Sequence, residues 1–221
     1  MFKTFNDDIK TIFQKDPAVR SVLEIIFCYP GFHAVLLYRF AHRLWKSHFY
    51  FLARFTSHVS RFLTGIEIHP AAQLGKRLFI DHGMGVVIGE TAIVGDDVLI
   101  YKGVLLGGSS LEKKKRHPTV GNNVVLGSNA IVLGAITIGD NARIAAASVV
   151  TKDIPANATA IGVPARISFG REDQEGLKPA SRLEHSNLPD PFSDTIKYFY
   201  EEYKKLEEKL DQAIESIEKK K

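Results

Sequence analysis

From Ile68 onward an aliphatic residue returns at every sixth position. The first run is Ile68, Leu74 and Ile80; the second is Ile88, Val94, Ile100 and Leu106. The third is Val120, Leu126, Val132, Ile138, Ile144 and Val150. An amphipathic helix would repeat near 3.6 and a half-buried strand at 2, so neither accounts for this period. Hexapeptide repetition is the signature of a parallel β-helix. Each hexad makes one flat side, three sides close a coil, and the repeated aliphatic points inward onto its equivalent one coil away. Glycine often follows the aliphatic (Gly75, Gly89, Gly95, Gly107, Gly121, Gly127, Gly139), as expected where the chain rounds a corner.

The register breaks twice. Ile80 to Ile88 is a step of eight, so two residues are inserted around Asp81-His82-Gly83-Met84-Gly85. Leu106 to Val120 is a step of 14, read as two beyond two hexads. The segment between, GGSSLEKKKRHPT, has no inward aliphatic pattern and is expected to leave the coil as a loop over 107–118. Insertions in solenoids cluster on the binding face. Each break carries a histidine, His82 and His117.

Residues 1–65 read differently. Fourteen of the 22 aromatics precede Gly65, whereas 14 of the 17 glycines lie between Gly65 and Gly162. The early segment predicts a helical domain. Asp16 is the expected N-cap, with Pro17 at the first helical position and Val19, Val22, Leu23 and Ile26 on one face. Pro30-Gly31 reads as a break. A second helix follows through Val35, Leu36, Tyr38, Phe40, Leu44 and Trp45, and a third from Phe49 to Leu63. The β-helix domain then spans 66–167, and 168–221 is a third region. There 168–187 read as a polar linker, Leu188-Pro189-Asp190-Pro191 as a stop, and Ser193 or Asp194 as a cap. Ile196, Phe199, Tyr203, Leu206, Leu210, Ile214 and Ile217 then form a nearly heptad seam. That helix is expected either to pair between subunits or to fold back on its own chain.

The chain of 221 residues is 45% hydrophobic and 24% charged, enough apolar content for a core. Its net charge of +4, from 29 basic and 25 acidic residues, is a mild bias and no argument for nucleic acid. The Lys113-Lys114-Lys115-Arg116 run has no interleaved aromatics and follows Glu112. One cysteine, Cys28, excludes an intramolecular disulfide framework and suits a reducing compartment. The longest uncharged apolar stretch near the start, Ile25 to Tyr38, has 14 residues. A membrane span takes about 20. With no signal-peptide pattern at the N-terminus, the expectation is a soluble, cytoplasmic protein without a membrane partner.

Three polar clusters could carry chemistry. Asp81-His82 sits on the first break, Glu67 lies about one coil earlier, and Arg116-His117 ends the loop. A histidine oriented by a carboxylate is a general base suited to neutral pH. It could deprotonate a hydroxyl for attack on a thioester, with amides near Gly107-Gly108 meeting the oxyanion. A zinc site of the His-x4-His kind does not fit: Asn122 stands five residues after His117 and Val87 five after His82, so no metal is expected. The basic loop, Lys152 and Arg166 are candidates for phosphate contact. His33, His42, His48, His58 and His185 read as surface or structural groups, as does His69.

The stretches DPAV (16–19), GFHA (31–34), IHPAA (68–72), DHGMGVVIGETA (81–92), LLGG (105–108), RHP (116–118) and GVPARI (162–167) occur in an order and spacing that resemble serine O-acetyltransferase. The resemblance runs from Asp16 to Ile167. It implies an N-terminal helical domain and a left-handed parallel β-helix, so that with the C-terminal helix read from the heptad seam the fold expected is α+β. It also implies acetyl transfer from acetyl-CoA to the hydroxyl of L-serine, giving O-acetyl-L-serine for cysteine biosynthesis. By this resemblance His82 is the general base and Glu67 its orienting partner, at a position where many members carry aspartate. Asp16 and Asp81 hold the serine amino group; Arg116 and His117 hold its carboxylate and help seat the hydroxyl. Gly108 lies beside the thioester and Ser128 and Ala146 line the coenzyme A cleft; Lys152, near the last coils, stays a candidate cofactor-phosphate contact read from the residues. The family is trimeric with sites between adjacent β-helices, often as a dimer of trimers, and L-cysteine often inhibits. Here the helical domain is short, which argues against trimer-on-trimer assembly. Many relatives end in an isoleucine that docks into O-acetylserine sulfhydrylase, whereas this sequence ends IESIEKKK, so that complex is expected to be weak or absent, or made another way. The competing readings are a hexapeptide acetyltransferase for another hydroxyl (sugar, antibiotic or homoserine) and a non-catalytic trimeric scaffold.

Overall fold

The computed structural model describes residues 2–168, 196, 199–207 and 209. The chain divides into two units, Met1–Ser186 and Asn187–Lys221, and each is described by itself.

In the first unit the hexads build a three-sided prism of two- and three-residue parallel strands. Its first face stacks Ile68, Ile88, Leu106, Val132 and Val150; its second stacks Leu74, Val94, Val120 and Ile138. The third stacks Ile80, Ile100, Leu126, Ile144 and Ala160, and is closed by Arg166–Ser168 running antiparallel to Thr159–Ile161. Of the thirteen repeated aliphatics, only Leu74 is less than fully buried. At about 25 cal/mol per Å² this column of apolar contact is the main stabilising term of the prism.

The corner glycines are used for their size. A Cβ on Gly95 would come within 2.7 Å of Gly121, and one on Gly139 within 2.4 Å of Ala156. The left-handed backbone falls on other residues: Arg77, Asp97, Asn123, Asn141 and Asn157, with φ from 54 to 62°, stack along one edge. Asparagine tolerates that region, and here the side chains bond to one another, Asn123 donating to Asn141 (2.8 Å) and Asn141 to Asn157 (3.0 Å).

The two register breaks are real but unequal. Glu67 faces Val87, 20 residues on, where an uninterrupted coil takes 18, as between Ile131 and Val149. Leu105 faces Ile131, 26 residues on. The second insertion is therefore eight residues within one hexad step, not two beyond two hexads. Leu106 ends the first face, Val120 belongs to the second, and the loop leaves from the edge between them.

Four helices precede the prism: α1 (Phe2–Lys15), α2 (Val22–Cys28), α3 (Pro30–Lys46) and α4 (Tyr50–Thr64). The expected cap at Asp16 is not one. Residues 16–20 are non-helical, and α2 starts one turn later from a capping box. The Ser21 hydroxyl accepts the Glu24 N–H (3.2 Å) and the Glu24 carboxylate accepts the Arg20 N–H (2.8 Å). Pro30 occupies the first turn of α3, and the bend of 69° between α2 and α3 falls at Tyr29. The sequence reading began its helices after Asp16 and missed α1, whose Asp8 is buried against Arg39 of α3.

Helices α1 to α3 cover the outer side of the third face. Ile12, Ile25 and Phe32 pack on Phe79, Leu99 and Val125, the outward neighbours of the inward Ile80, Ile100 and Leu126. This is how Phe79 is accommodated in a prism whose own inward positions are aliphatic or small. Helices α3 and α4 close the first coil. Ala34, Val35, Tyr38 and Ile66 join its apolar interior. The coil's outward carbonyls receive side-chain donors: Ser57 to Ile68 (2.6 Å), His42 to Pro70 (2.7 Å) and Tyr38 to Ala72. Among the described residues no single helix is long and apolar enough to cross a membrane.

In the second unit residues 199–207 are helical, and Ile196, Phe199, Tyr203 and Leu206 are exposed in the single chain. The expected linker, its proline stop and cap, and the Leu210, Ile214 and Ile217 part of the seam lie outside the described residues.

Candidate active site

His82 stands on the edge between the third and first faces. The inserted turn puts it at φ 58°, followed by Gly83 at 36° and Gly85 at 78°. Asn129 and Ala147 take the same left-handed backbone at φ 59° and 58° in later coils, so the turn at His82 follows the corner geometry of the prism. The side chain is 77% exposed, and its Nε2 lies 3.8 Å from Asp81 Oδ1.

Asp81 is half-buried and shares its surroundings with Asp16. Burial lifts its carboxyl above the usual range and the Asp16 charge adds to this, against the pull of His82. Asp16 accepts the Ala18 N–H (2.7 Å) and the Tyr29 hydroxyl (2.6 Å). Burial and the same two carboxylates push the Tyr101 hydroxyl up to about 12. Burial and the bond to Asp16 also hold Tyr29 well above its ordinary value. Asp16, bonded to Tyr29, and Asp81 feel each other's charge and both raise Tyr101, which makes this corner of the protein anionic.

The second cluster occupies the edge between the first and second faces, where the loop returns. His117 is buried, its ring lying against Gly89 and Gly108. Its Nδ1 accepts the Thr91 N–H (3.2 Å), and the Thr91 hydroxyl lies 2.9 Å from the same nitrogen. Arg116 is ion-paired with Glu90, and Lys115 donates to the carbonyls of Thr91 (2.6 Å) and Pro118 (3.2 Å). Burial, reinforced by the Arg116 and Lys115 charges, holds His117 below the usual histidine range. His69, on this edge, is pushed down to about 4 by burial and then by Arg54; its Nδ1 accepts the Ala71 N–H (3.0 Å) and its ring packs on Trp45.

The sequence-derived set is thus distributed over two edges. Asp16, Asp81 and His82 stand together, with Ser128 and Ala146 on the same edge in later coils. Gly108, Arg116, His117 and Lys152 stand on the other edge. One flat side separates the two, roughly 15 Å for about five residues at 3.3 Å each. Glu67 bonds to Arg61 of α4 at 3.2 Å, and among the described residues no hydrogen bond or ion pair joins it to His82. Sequence reasoning did not single out Tyr29, Glu90 or Thr91. The last two were visible inside GETA, but counting the loop as a two-residue excess hides that Thr91 and His117 are coil neighbours, 26 residues apart. Among the described residues no group of three or more His, Cys, Asp or Glu side chains could hold a metal ion.

A prism of hexads with a loop on one edge and an exposed histidine on another defines a hexapeptide-repeat transferase, and the family model described as bacterial transferase hexapeptide (six repeats) matches residues 117–152. Serine acetyltransferase of Bacillus pumilus is 50% identical over 209 residues, 95% of this chain and 94% of that one. That of Bacillus subtilis is 47% identical over 219 residues, 99% of both. Among solved structures, Neisseria gonorrhoeae serine acetyltransferase in complex with serine superposes with a TM-score of 0.73 at 42% identity, covering 76% of this chain and 68% of that one. The Brucella abortus enzyme in complex with coenzyme A gives 0.74 at 40% identity, covering 76% and 67%. A serine acetyltransferase in complex with cysteine gives 0.74 at 40%, covering 75% and 65%. The chain belongs to the serine acetyltransferase family and has its left-handed β-helix.

Proposed function

We propose that this chain transfers the acetyl group of acetyl-CoA to the hydroxyl of L-serine, giving O-acetyl-L-serine and coenzyme A. The observation that carries the reading is the exposed His82 imidazole with its Nε2 3.8 Å from Asp81, where the Asp16 charge is also felt: an anionic site for an ammonium group next to a base. With the serine ammonium between Asp16 and Asp81, the short side chain brings its hydroxyl to His82. The imidazole takes the hydroxyl proton as the oxygen attacks the thioester carbonyl. The tetrahedral oxyanion is met by donors near Gly108. The intermediate collapses, the C–S bond breaks, and the thiolate leaves with the proton held by His82. Transfer is direct, with no acetylated enzyme.

Because His82 and His117 lie on different edges of one prism, a complete site needs two chains. His82, Asp81 and Asp16 of one subunit would face Arg116 and His117 of the partner subunit, and three-fold closure is the simplest arrangement of a three-edged prism. Ser128 and Ala146 would line the coenzyme A cleft, with Gly108 at the thioester and Lys152 near phosphate. Glu67 would reach His82 by releasing Arg61. The domain division is 1–65, 66–167 and 168–221. L-Cysteine, which has the same ammonium and carboxylate as the acceptor and a sulfur in place of the hydroxyl oxygen, would occupy the serine site as an inhibitor.

Thiol release from acetyl-CoA, measured with L-serine, homoserine and a sugar side by side and with added cysteine, tests the reading. Serine as preferred acceptor and inhibition by cysteine are expected; preference for a sugar would overturn it.

A further inference from the structure

Thr91 has every hydrogen-bonding position of its hydroxyl engaged. Its oxygen accepts the backbone N–H of Arg116 at 3.0 Å and that of His117 at 3.1 Å, and it lies 2.9 Å from His117 Nδ1. The Thr91 backbone N–H points at the same ring nitrogen from 3.2 Å. An amide N–H can only donate, so Nδ1 presents its lone pair and carries no proton. With both acceptor positions taken by N–H groups, the hydroxyl gives its own hydrogen to Nδ1 as well. The single proton of the neutral ring then sits on Nε2.

The position of Nε2 gives that proton a use. A Cβ built on Gly108 would stand 3.2 Å from Nε2, so this nitrogen borders the Gly107-Gly108 backbone on the loop edge. Burial and the flanking cations disfavour a second proton on the ring. His82 is built the other way: it is exposed, and a carboxylate, Asp81, lies 3.8 Å from its Nε2.

We propose that Thr91 is a positioning residue that locks His117 as the neutral Nε2–H tautomer, so that His117 acts as a hydrogen-bond donor to the bound acceptor and not as a second base. This rests on the acetyltransferase reading above. The two histidines thereby divide the work, one taking a proton and the other only lending one.

The test uses the full chain with Thr91→Val, which keeps the size and the backbone N–H but removes the hydroxyl, and Thr91→Ser, which keeps it. Thr91→Val lowers kcat/KM for L-serine on the order of 10- to 100-fold, the worth of a lost hydrogen bond and its stranded partners, while KM for acetyl-CoA stays within about twofold. Thr91→Ser recovers most of that loss. In ¹⁵N-labelled wild type, two-bond ¹H–¹⁵N correlations of His117 show a pyrrole-type Nε2 and a pyridine-type Nδ1; Thr91→Val strands the Arg116 and His117 N–H groups, loosens the segment that holds the ring against the Thr91 N–H, and so shows mixed tautomers. A protonated Nδ1 in wild type overturns the proposal, as does a Thr91→Val protein that loses stability but keeps both the tautomer and kcat/KM. Wild type that transfers acetyl to no acceptor, yet shows the Nε2–H signature, overturns the enzymatic reading while the tautomer assignment stands.

Discussion

The imidazole of His117 fills the space where Gly89 lacks a side chain. A Cβ there would stand 1.9 Å from Cδ2 and 2.1 Å from Nε2, far inside contact distance. Gly89 is required for the space it leaves one coil before the ring.

Gly89→Ala is therefore expected to push the ring off its Thr91 contacts. A displacement of about 1 Å in a positioned group lowers kcat/KM on the order of 10²-fold. Steady-state kinetics with serine check this, and a thermal melt shows whether the coil survives; wild-type kinetics in a folded variant would contradict the expectation.

His82→Ala should lower kcat roughly 10²- to 10⁴-fold, the usual worth of a general base. A near-normal turnover would remove His82 from the mechanism.

A shared site has a combinatorial signature. His82→Ala and His117→Ala chains are each nearly inactive alone. Unfolded together and refolded as mixed trimers, they recover about one quarter of wild-type activity, the fraction of edges at which two intact residues meet. No recovery would place both histidines of each site in one chain.

Asp81 has a sign that can be worked out. Its folded-state pKa is raised by burial and by Asp16, so the folded protein holds the proton more tightly than the unfolded chain. The associated stability is present below the unfolded value and lost as pH rises through the folded one. Asp81→Asn should then raise the melting temperature of the ligand-free protein at pH 7. The same change raises KM for serine on the order of tenfold or more by removing a charge-assisted bond. In the wild type KM for serine climbs as pH falls through the raised Asp81 value, because the protonated carboxyl no longer pairs with ammonium. A pH-independent KM would contradict this.

Asp8→Ala leaves Arg39 without its partner beneath α1. Arg39 is partly exposed, so the loss is about 1–3 kcal/mol rather than the full penalty of a buried pair. Chemical denaturation gives the value, and earlier tryptic cleavage in residues 2–15 shows that α1 has come away.

The prism was legible because its rule is local: one inward aliphatic per six residues, with Ile88 and Leu106 on one face as the period requires, and Val132 and Val150 likewise. The helices were less so. Asp16-Pro17 has the composition of a cap, but Asp16 is held by Ala18 and Tyr29, and Ser21-x-x-Glu24 wins because it satisfies two backbone donors at once. Helix α1 was missed because its reason to fold lies in tertiary contacts, Ile12 on the third face and Asp8 on Arg39. His82, Asp81 and Arg116 could be picked out from the breaks and motifs. Their separation on two edges could not, because edge assignment depends on counting the loop as eight residues within one step.

The covered first coil has one more consequence. A stack of parallel strands has no intrinsic length: its last rung presents the same row of carbonyls and amides as any rung inside, and another molecule can continue it. Here Ser57, His42 and Tyr38 occupy those carbonyls at the start, and the reversed Arg166–Ser168 strand ends the ladder at the other side. The helices are thus a terminator of polymerisation as much as a support for chemistry. Cut away before Ile66, the prism should grow end to end into fibres.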